Sequence, residues 1–379
     1  MVFNNSMHRR VFLSIGDVSA ANYIYEIFRE GFEDTELVGI TNEKLESIGV
    51  KSVASISELS VVGIAEVLPK LLQIRRIYKR CLETLSGCDI LVACDAPGFN
   101  LRLIKEARNS GVKKIIYFIS PQVWAWKPRR AEVIARYADE LVLILPFERE
   151  LYSRFENKHF RVHYVGHPLV DMVRPGIDRE EFLEALGTKG VPVNLMPGSR
   201  WGEVKRHAPF LKEVVKGLVD RTELFVLPTF EEFRLFLEDI FKDLPVRVIT
   251  ERDISSPAYS SMFYSKLSLI ASGTSSLEAA LALNPHVVFY RVNLLTYLIG
   301  KLLVKVEHVS LPNLILGREV VPELINRDPF EVVQVARELL EDEEKREAMK
   351  ESFGELKRRL GGEGVILKLR SLFKELLNG

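Results

Sequence analysis

Cysteine is scarce in this chain of 379 residues: it has three, all between positions 81 and 94. An odd number so closely spaced builds no disulfide framework, and the intervals fit no common zinc or redox motif. Cys81, Cys88 and Cys94 therefore read as reduced thiols of a cytosolic protein. Net charge is also lacking, with 52 basic residues against 52 acidic ones, which argues against a nucleic-acid binder with a dominant basic face. No apolar run reaches the roughly 18 residues of a membrane span. The polar start Met1–Arg10, followed by the short run Val11–Ile15, carries no evident signal peptide. The seven histidines are scattered, no residue cluster has metal-ligand spacing, and His167 reads as a hinge or pocket residue. Neither G-x-G-x-x-G nor G-x-S-x-G occurs, which counts against dinucleotide-dependent dehydrogenases and nucleophile-elbow hydrolases. Internal repeats and low-complexity segments are missing too.

What is present is a globular composition, 47% apolar and 27% charged, with length enough for two ordinary domains. Short apolar runs alternate with amphipathic segments, as in an α/β protein. Strands are expected at Val11–Ser14, Glu36–Ile40, Ile90–Cys94, Lys114–Ile119, Glu140–Leu145 and His163–Val165. A second set is expected at Val193–Met196, Glu223–Leu227, Val246–Ile249, Ser268–Ile270 and His286–Phe289. Nearly all are apolar throughout, as in parallel sheets covered on both faces. Two doubly wound domains follow, joined near Gly166–Asp171 and Pro175-Gly176. The expected limits are 1–166 and 167–340, with the charged helical end 341–379 packing on the first domain, its own or a partner's.

Ala271-Ser-Gly-Thr-Ser-Ser-Leu-Glu278 is the most informative stretch. It links an apolar strand to a helix start through small residues, so free N–H groups and a helix dipole face outward, a geometry suited to a diphosphate. Thr274, Ser275 and Ser276 supply hydroxyls and an N-cap, and Glu278 stands where it could accept from a ribose. An ordinary capped helix reads equally well. Leu195-Met-Pro-Gly-Ser-Arg200 repeats the design and delivers the bidentate fork of Arg200 to a strand's carboxyl edge; a solvated arginine on a surface turn is the alternative. Asn313, in Val309-Ser-Leu-Pro-Asn-Leu314, could meet a uracil edge or a sugar hydroxyl, or bond its own turn. In the first half, Cys94-Asp-Ala-Pro-Gly-Phe-Asn100 places Asp95 at a strand end, either as general base or as helix cap. Ser120-Pro-Gln-Val-Trp-Ala-Trp126 brings two indoles to another strand end, for sugar stacking or for core. The apolar–basic segments 61–76 and 294–306 suit either an anionic lipid surface or buried helices with basic rims.

Together these motifs resemble the lipid-A-disaccharide synthases, inverting glycosyltransferases of the GT-B type. The residues that carry the resemblance are Val62–Leu68, Ser120–Trp126, Leu145-Pro-Phe-Glu148, Val165-Gly-His167, Leu195–Arg200 with Glu203-Val204, Ala271–Thr274 with Leu277-Glu278, Tyr290-Arg291, Val309–Asn313 and Gly317-Arg-Glu319, over roughly residues 58 to 330. The resemblance implies two facing Rossmann-like domains with a deep interdomain cleft. It implies transfer of 2,3-diacylglucosamine from its UDP derivative to 2,3-diacylglucosamine 1-phosphate (lipid X), forming a β-1,6 bond and releasing UDP. It assigns Ser199, Arg200, Ser272, Gly273, Thr274, Ser275, Glu278, Arg291 and Asn313 to the UDP-sugar, and Ser19, Asn100, Trp124 and Trp126 to the acceptor side. Asp95 or Asp17 would be the base, with no metal and no cofactor. A peripheral place on the cytoplasmic face of the inner membrane follows, and a homodimer is compatible with it.

Two departures fall on the acceptor side. The family's usual Gly-Glu-x-Ser-Gly-Asp loop is here Gly16-Asp-Val-Ser-Ala-Ala21. Its usual Asp-x-Pro-Asp-Phe-Asn has Gly98 where the second aspartate would stand. Other readings therefore stay open: a divergent homologue that binds a UDP-sugar with another acceptor or without catalysis, or a different GT-B enzyme on UDP-N-acetylglucosamine.

Overall fold

The computed structural model describes residues 9–59, 67–125, 127–271, 273–291 and 308–379, and every expected strand forms in it. The chain makes two compact units, Met1–Pro168 with Glu363–Gly379, and Leu169–Gly362.

The first unit holds seven strands: β1 (Arg9–Ile15), β2 (Thr35–Thr41), β3 (Lys51–Ser55), β4 (Ile90–Cys94), β5 (Lys114–Phe118), β6 (Glu140–Leu143) and β7 (Arg161–Tyr164). They run parallel in the order β3-β2-β1-β4-β5-β6-β7. The chain leaves β1 in one direction and later returns to its other side, so β1 and β4 flank the topological switch point, where open α/β sheets bind ligands. Helices α1 (Val18–Phe28), α2 (Val67–Leu85), α3 (Pro97–Asn109), α4 (Arg130–Tyr137) and α5 (Glu148–Ser153) follow strands. Covering both faces is what buries Val11, Phe12, Leu13, Leu91, Val92 and Ala93 completely. The three cysteines are buried and unbridged, and burial pushes the Cys81 thiol up to about 12, as expected of inert structural thiols.

The second unit holds β8 (Val193–Met196), β9 (Phe225–Pro228), β10 (Val246–Ile249), β11 (Leu267–Ala271), β12 (His286–Tyr290) and β13 (Glu323–Ile325). They too are parallel, in the order β10-β9-β8-β11-β12-β13, with the switch point between β8 and β11. Its helices include α6 (Trp201–Lys216), α7 (Arg234–Phe241), α8 (Thr274–Leu281), α9 (Leu311–Leu316), α10 (Pro329–Glu341) and α11 (Glu343–Arg359). The last helix, α12 (Val365–Asn378), belongs to the first unit.

The C-terminal stretch therefore divides, whereas the sequence suggested that 341–379 would pack on the first domain as one piece. Helix α11 stays with the second unit. Its buried Phe353 stacks on His286 at 5.3 Å, and Arg359 donates to the carbonyls of Ile315 and Leu316 at the end of α9. Helix α12 joins α1: Phe373 packs edge-on against Phe28 and Phe118, each at 5.4 Å. Arg370 donates to the last carbonyls of α1, Glu26 and Ile27, a cation placed at the negative end of a helix. Gly361, Gly362 and Gly364, all at positive φ, turn the chain between the two helices, a path that L side chains disfavour. Of the two apolar–basic segments, 294–306 lies outside the described residues, and 61–76 is described only from Val67 onward, as the start of α2.

Candidate active site

In the first unit the site begins where β1 and β4 end side by side, Ile15 paired with Cys94. A Cβ on Gly16 would lie 2.0 Å from the Cβ of Ala96, so glycine is what lets the two strand-end turns touch. Asp17 caps α1, its Oδ1 accepting from the Ala20 N–H at 2.7 Å. Asp95 and Ala96 take positive φ of 45° and 41°, a left-handed path that costs a non-glycine residue about 1–3 kcal/mol and persists only where neighbours over-determine it. They do so here. The Asp95 N–H donates to Phe118 O, while Tyr117 Oη and Asn100 Nδ2 both donate to Asp95 O at 2.8 and 2.9 Å.

The carboxyl of Asp95 is pushed up to about 7, first by burial, then by the charge of Asp17 and a hydrogen bond shared with it; the Ala96 N–H and Arg130 oppose. Two carboxyls on touching turns cannot both ionise easily, and a value near neutrality is that of an efficient general base. Gly98, where the related pattern has an aspartate, has nothing within 4 Å of a would-be Cβ. Ser19 is exposed in the first turn of α1.

The expectation that Asn100 meets the acceptor is corrected by its amide. It is fully buried; Oδ1 accepts from Ser14 Oγ, and Nδ2 donates toward Ser14 O, Cys94 O and Asp95 O. Asn100 holds the β1 and β4 ends together. Trp126 lies outside the described residues. Trp124 packs edge-on against Phe147 at 5.5 Å, and its buried indole N–H is directed at the Glu148 carboxyl without reaching full hydrogen-bond geometry. It faces Glu148, which sequence reasoning left without a role. Glu148 follows β6 as Asp95 follows β4, is 1% exposed, and its Oε2 has no partner. Burial pushes this carboxyl up to about 8, the Trp124 N–H pulling against and the Asp95 charge adding. His167, buried against the Tyr23 ring, is held down to about 3 by burial and stays neutral.

In the second unit Met196 of β8 pairs with Ile270 of β11, which brings the Pro197–Arg200 turn beside the Gly273–Thr274 turn. Glu203 props the first turn: Oε2 accepts from the Ser199 N–H and Oε1 pairs with Arg200 at 3.2 Å. A Cβ on Gly198 (φ 114°) would strike the Glu203 side chain at 2.7 Å. The Arg200 side chain is 80% exposed, so it can leave this surface pair for an anion at little cost. Buried His207 ties the ends of β8 and β12, Nδ1 donating to Pro197 O and Nε2 accepting from the Arg291 N–H. The Arg291 guanidinium lies over the Phe210 ring and donates to Arg327 O.

Helix α8 starts at Gly273 without a side-chain cap, contrary to the capping role expected of its hydroxyls. Among the described residues no cap side chain meets its first-turn N–H groups, and Thr274 is exposed. Ser276 turns inward to bond His286 Nε2 at 2.9 Å. Ser272 lies outside the described residues. Glu278 accepts from Tyr259 Oη at 3.1 Å. Burial raises its carboxyl, and bonds from Tyr259 and Ser275 oppose the rise. Tyr259 had no sequence signal beyond its place on a neighbouring helix.

Asn313 is the second correction. Its amide is wholly consumed inside the fold: Oδ1 accepts from the Val320 and Val321 N–H groups, and Nδ2 donates to Val321 O and Glu323 Oε1. It is fully buried and shapes the loop after α9 instead of offering a group to a nucleoside. Among the described residues, no group of three or more His, Cys, Asp or Glu is placed to hold a metal ion.

A family model described as lipid-A-disaccharide synthetase matches residues 11–376. The lipid-A-disaccharide synthase of Aquifex aeolicus is 52% identical over 369 residues, 97% of this chain and 100% of that protein. That of Persephonella marina is 38% identical over 377 residues, 97% and 99% of the two chains. Among solved structures, Staphylococcus aureus MnaA with UDP aligns with a TM-score of 0.64 at 14% identity, covering 98% and 97% of the two chains. Acinetobacter baumannii MurG aligns at 0.56 and 11%, covering 97% and 99%. At such identities the likeness is one of fold, that of GT-B glycosyltransferases and epimerases.

Proposed function

The chain belongs to the lipid-A-disaccharide synthetase family, and from that membership we propose how its own residues carry the reaction. It is a glycosyltransferase of lipid A biosynthesis, transferring 2,3-diacylglucosamine from its UDP derivative to lipid X with release of UDP. The donor diphosphate sits on Arg200 and the uncapped start of α8, with Glu278 on the ribose. The acceptor sugar lies over the adjoining turns of Asp17 and Asp95. Asp95 takes the proton of the acceptor 6-hydroxyl as that oxygen bonds the anomeric carbon, and the bond to UDP breaks on the opposite face, with inversion. Charge developing on the departing diphosphate falls on Arg200 and the helix N–H groups, donors already in place.

The observation that carries this reading is the carboxyl pair at the β1/β4 switch point, with Asp95 pushed up to about 7; it supplies a base where Gly98 supplies none. Because both substrates are amphiphiles, we place the enzyme at the cytoplasmic face of the inner membrane as a peripheral protein. Among the described residues no helix is long and apolar enough to cross a membrane.

The test is UDP release from UDP-2,3-diacylglucosamine with and without lipid X. Acceptor-dependent release is expected; donor binding with no such release would sink the reading in favour of a divergent donor binder. Arg200→Ala should weaken UDP binding by ~1.5–3 kcal/mol, the loss of a charged hydrogen bond.

A further inference from the structure

The turn that carries Arg200 continues directly into an aromatic surface that the reaction scheme leaves unused. Trp201, the first residue of α6, is 37% exposed, and Phe230, in the turn after β9, is 58% exposed. Strands β8 and β9 are parallel neighbours, Val193 paired with Phe225, so their following turns share one edge of the sheet. Both rings rest edge-on against one buried ring, Phe233: Trp201 at 4.7 Å and 79°, Phe230 at 6.1 Å and 74°. Phe236 adds a fourth ring at 5.7 Å from Trp201. Single exposed hydrophobic residues need no explanation, whereas an indole and a phenyl built on a common buried support form a patch. On its Trp201 side the patch is flanked by cations, with Lys205 Nζ 5.0 Å from the centre of the Trp201 ring and Arg200 one residue before it, while Glu231 and Glu232 follow Phe230 on the other side. Apolar surface beside clustered cations suits a ligand that is anionic at one end and aliphatic at the other.

We propose that Trp201 and Phe230 form the subsite for an acyl chain of the donor, the diphosphate being held next door on Arg200. This rests on reading the Arg200 turn as the diphosphate site. The occupant follows from the donor's chemistry: a UDP-sugar anchored by its diphosphate carries its acyl chains on the attached sugar, a few bonds from Arg200, and an aromatic wall adjoining that turn is where such a chain finds cover from water. Rigid rings give apolar contact at small entropic cost.

The experiment compares dissociation constants for UDP, UDP-glucosamine and a UDP-2,3-diacylglucosamine with chains short enough to stay monomeric. The proteins are wild type, Trp201→Gln, Phe230→Ser and the double variant, each checked for an unchanged melting temperature. Wild type is expected to bind the acylated donor more tightly than UDP-glucosamine. The double variant should lose at least about tenfold of that increment, ~1.4 kcal/mol, with UDP affinity within about twofold of wild type. An unchanged increment in folded variants overturns the proposal, and so does an equal loss for all three ligands. Vesicles containing anionic lipid form a further arm: variants that lose vesicle binding but keep the acyl increment assign the patch to a membrane surface and overturn the proposal. Wild-type protein that binds no UDP overturns the reading of the Arg200 turn itself.

Discussion

Replacing Asp95 by asparagine should make the protein more stable and less active at once, and the stability gain should depend on pH. In the folded chain the carboxyl is pushed up to about 7 from an ordinary value of 3.8. Between those two pH values the folded state keeps a proton that the unfolded chain gives up. The contribution of this group to stability is therefore greatest below about pH 4, falls as pH rises through the window, and stays at its lower level above pH 7. Each unit corresponds to ~1.4 kcal/mol, so the full window is worth at most ~4 kcal/mol, and local relaxation reduces this to ~2–4 kcal/mol. Asparagine is a neutral isostere whose amide can still meet Asp17 and the Ala96 N–H, and the bonds from Tyr117 and Asn100 and to Phe118 use the backbone of residue 95. The fold should therefore survive. For a domain of this size 1 kcal/mol moves the melting temperature by ~2–4 °C. Asp95→Asn should thus melt about 5–10 °C higher than wild type at pH 8 and within about 1 °C of it at pH 4. Turnover should fall by ~10²–10⁴, the usual contribution of a general base, with donor affinity unchanged. Scanning calorimetry at the two pH values, beside the UDP-release assay, reads both effects. An equal shift at both pH values, or a variant that melts lower at pH 8, would refute the argument from the buried carboxyl, and full turnover would remove Asp95 as base.

Glu148→Gln should behave differently. With its carboxyl pushed up to about 8, Glu148 is mostly neutral at pH 7, so the amide should keep most turnover there. It should spare the protein the stability that wild type loses as pH rises from about 4.5 through 8. Turnover at pH 7 as low as that of Asp95→Asn would show that Glu148 works ionised. Gly98→Asp should fold without loss, since a Cβ there meets nothing within 4 Å and an acid in the first turn of a helix gains ~0.3–1 kcal/mol. By adding negative charge near Asp95 it should move the acidic limb of kcat/KM to higher pH; a lowered melting temperature or an unmoved limb counts against this. Asn313→Ala strips partners from two backbone N–H groups at ~1–3 kcal/mol each. It should lower the melting temperature by several degrees yet leave UDP affinity within about threefold below the transition; a selective loss of UDP binding would restore Asn313 as a direct contact.

The strands on either side of both switch points were legible because strands buried on two faces must be apolar throughout, and Val11–Ile15, Ile90–Cys94, Val193–Met196 and Leu267–Ala271 are nearly so. Two of the four edge strands were not. In Lys51–Ser55 the first two residues are exposed and polar, and Glu323–Ile325 is three half-buried residues led by a glutamate; neither has a periodicity to detect. Site residues at strand ends were legible by position but not by direction. Asp95 and Arg200 stand in small-residue turns, Asn100 and Asn313 in the first turns of helices α3 and α9, and what separates them is the supply of backbone partners from elsewhere in the chain. Asn100 turns inward because Ser14 and Cys94 need a bridge between β1 and β4, and Asn313 does so because Val320, Val321 and Glu323 converge on it. No run of residues around either asparagine encodes that convergence. The same limit explains Glu148. A glutamate after Pro-Phe reads as a surface residue until Trp124, Asp95 and Tyr152 are seen around it, and only then does burial turn an ordinary acid into one that holds its proton near neutral pH. The helical end divides for a related reason: α11 and α12 are both amphipathic, and which sheet each one covers is decided by a distant ring, His286 for Phe353 and Phe118 for Phe373.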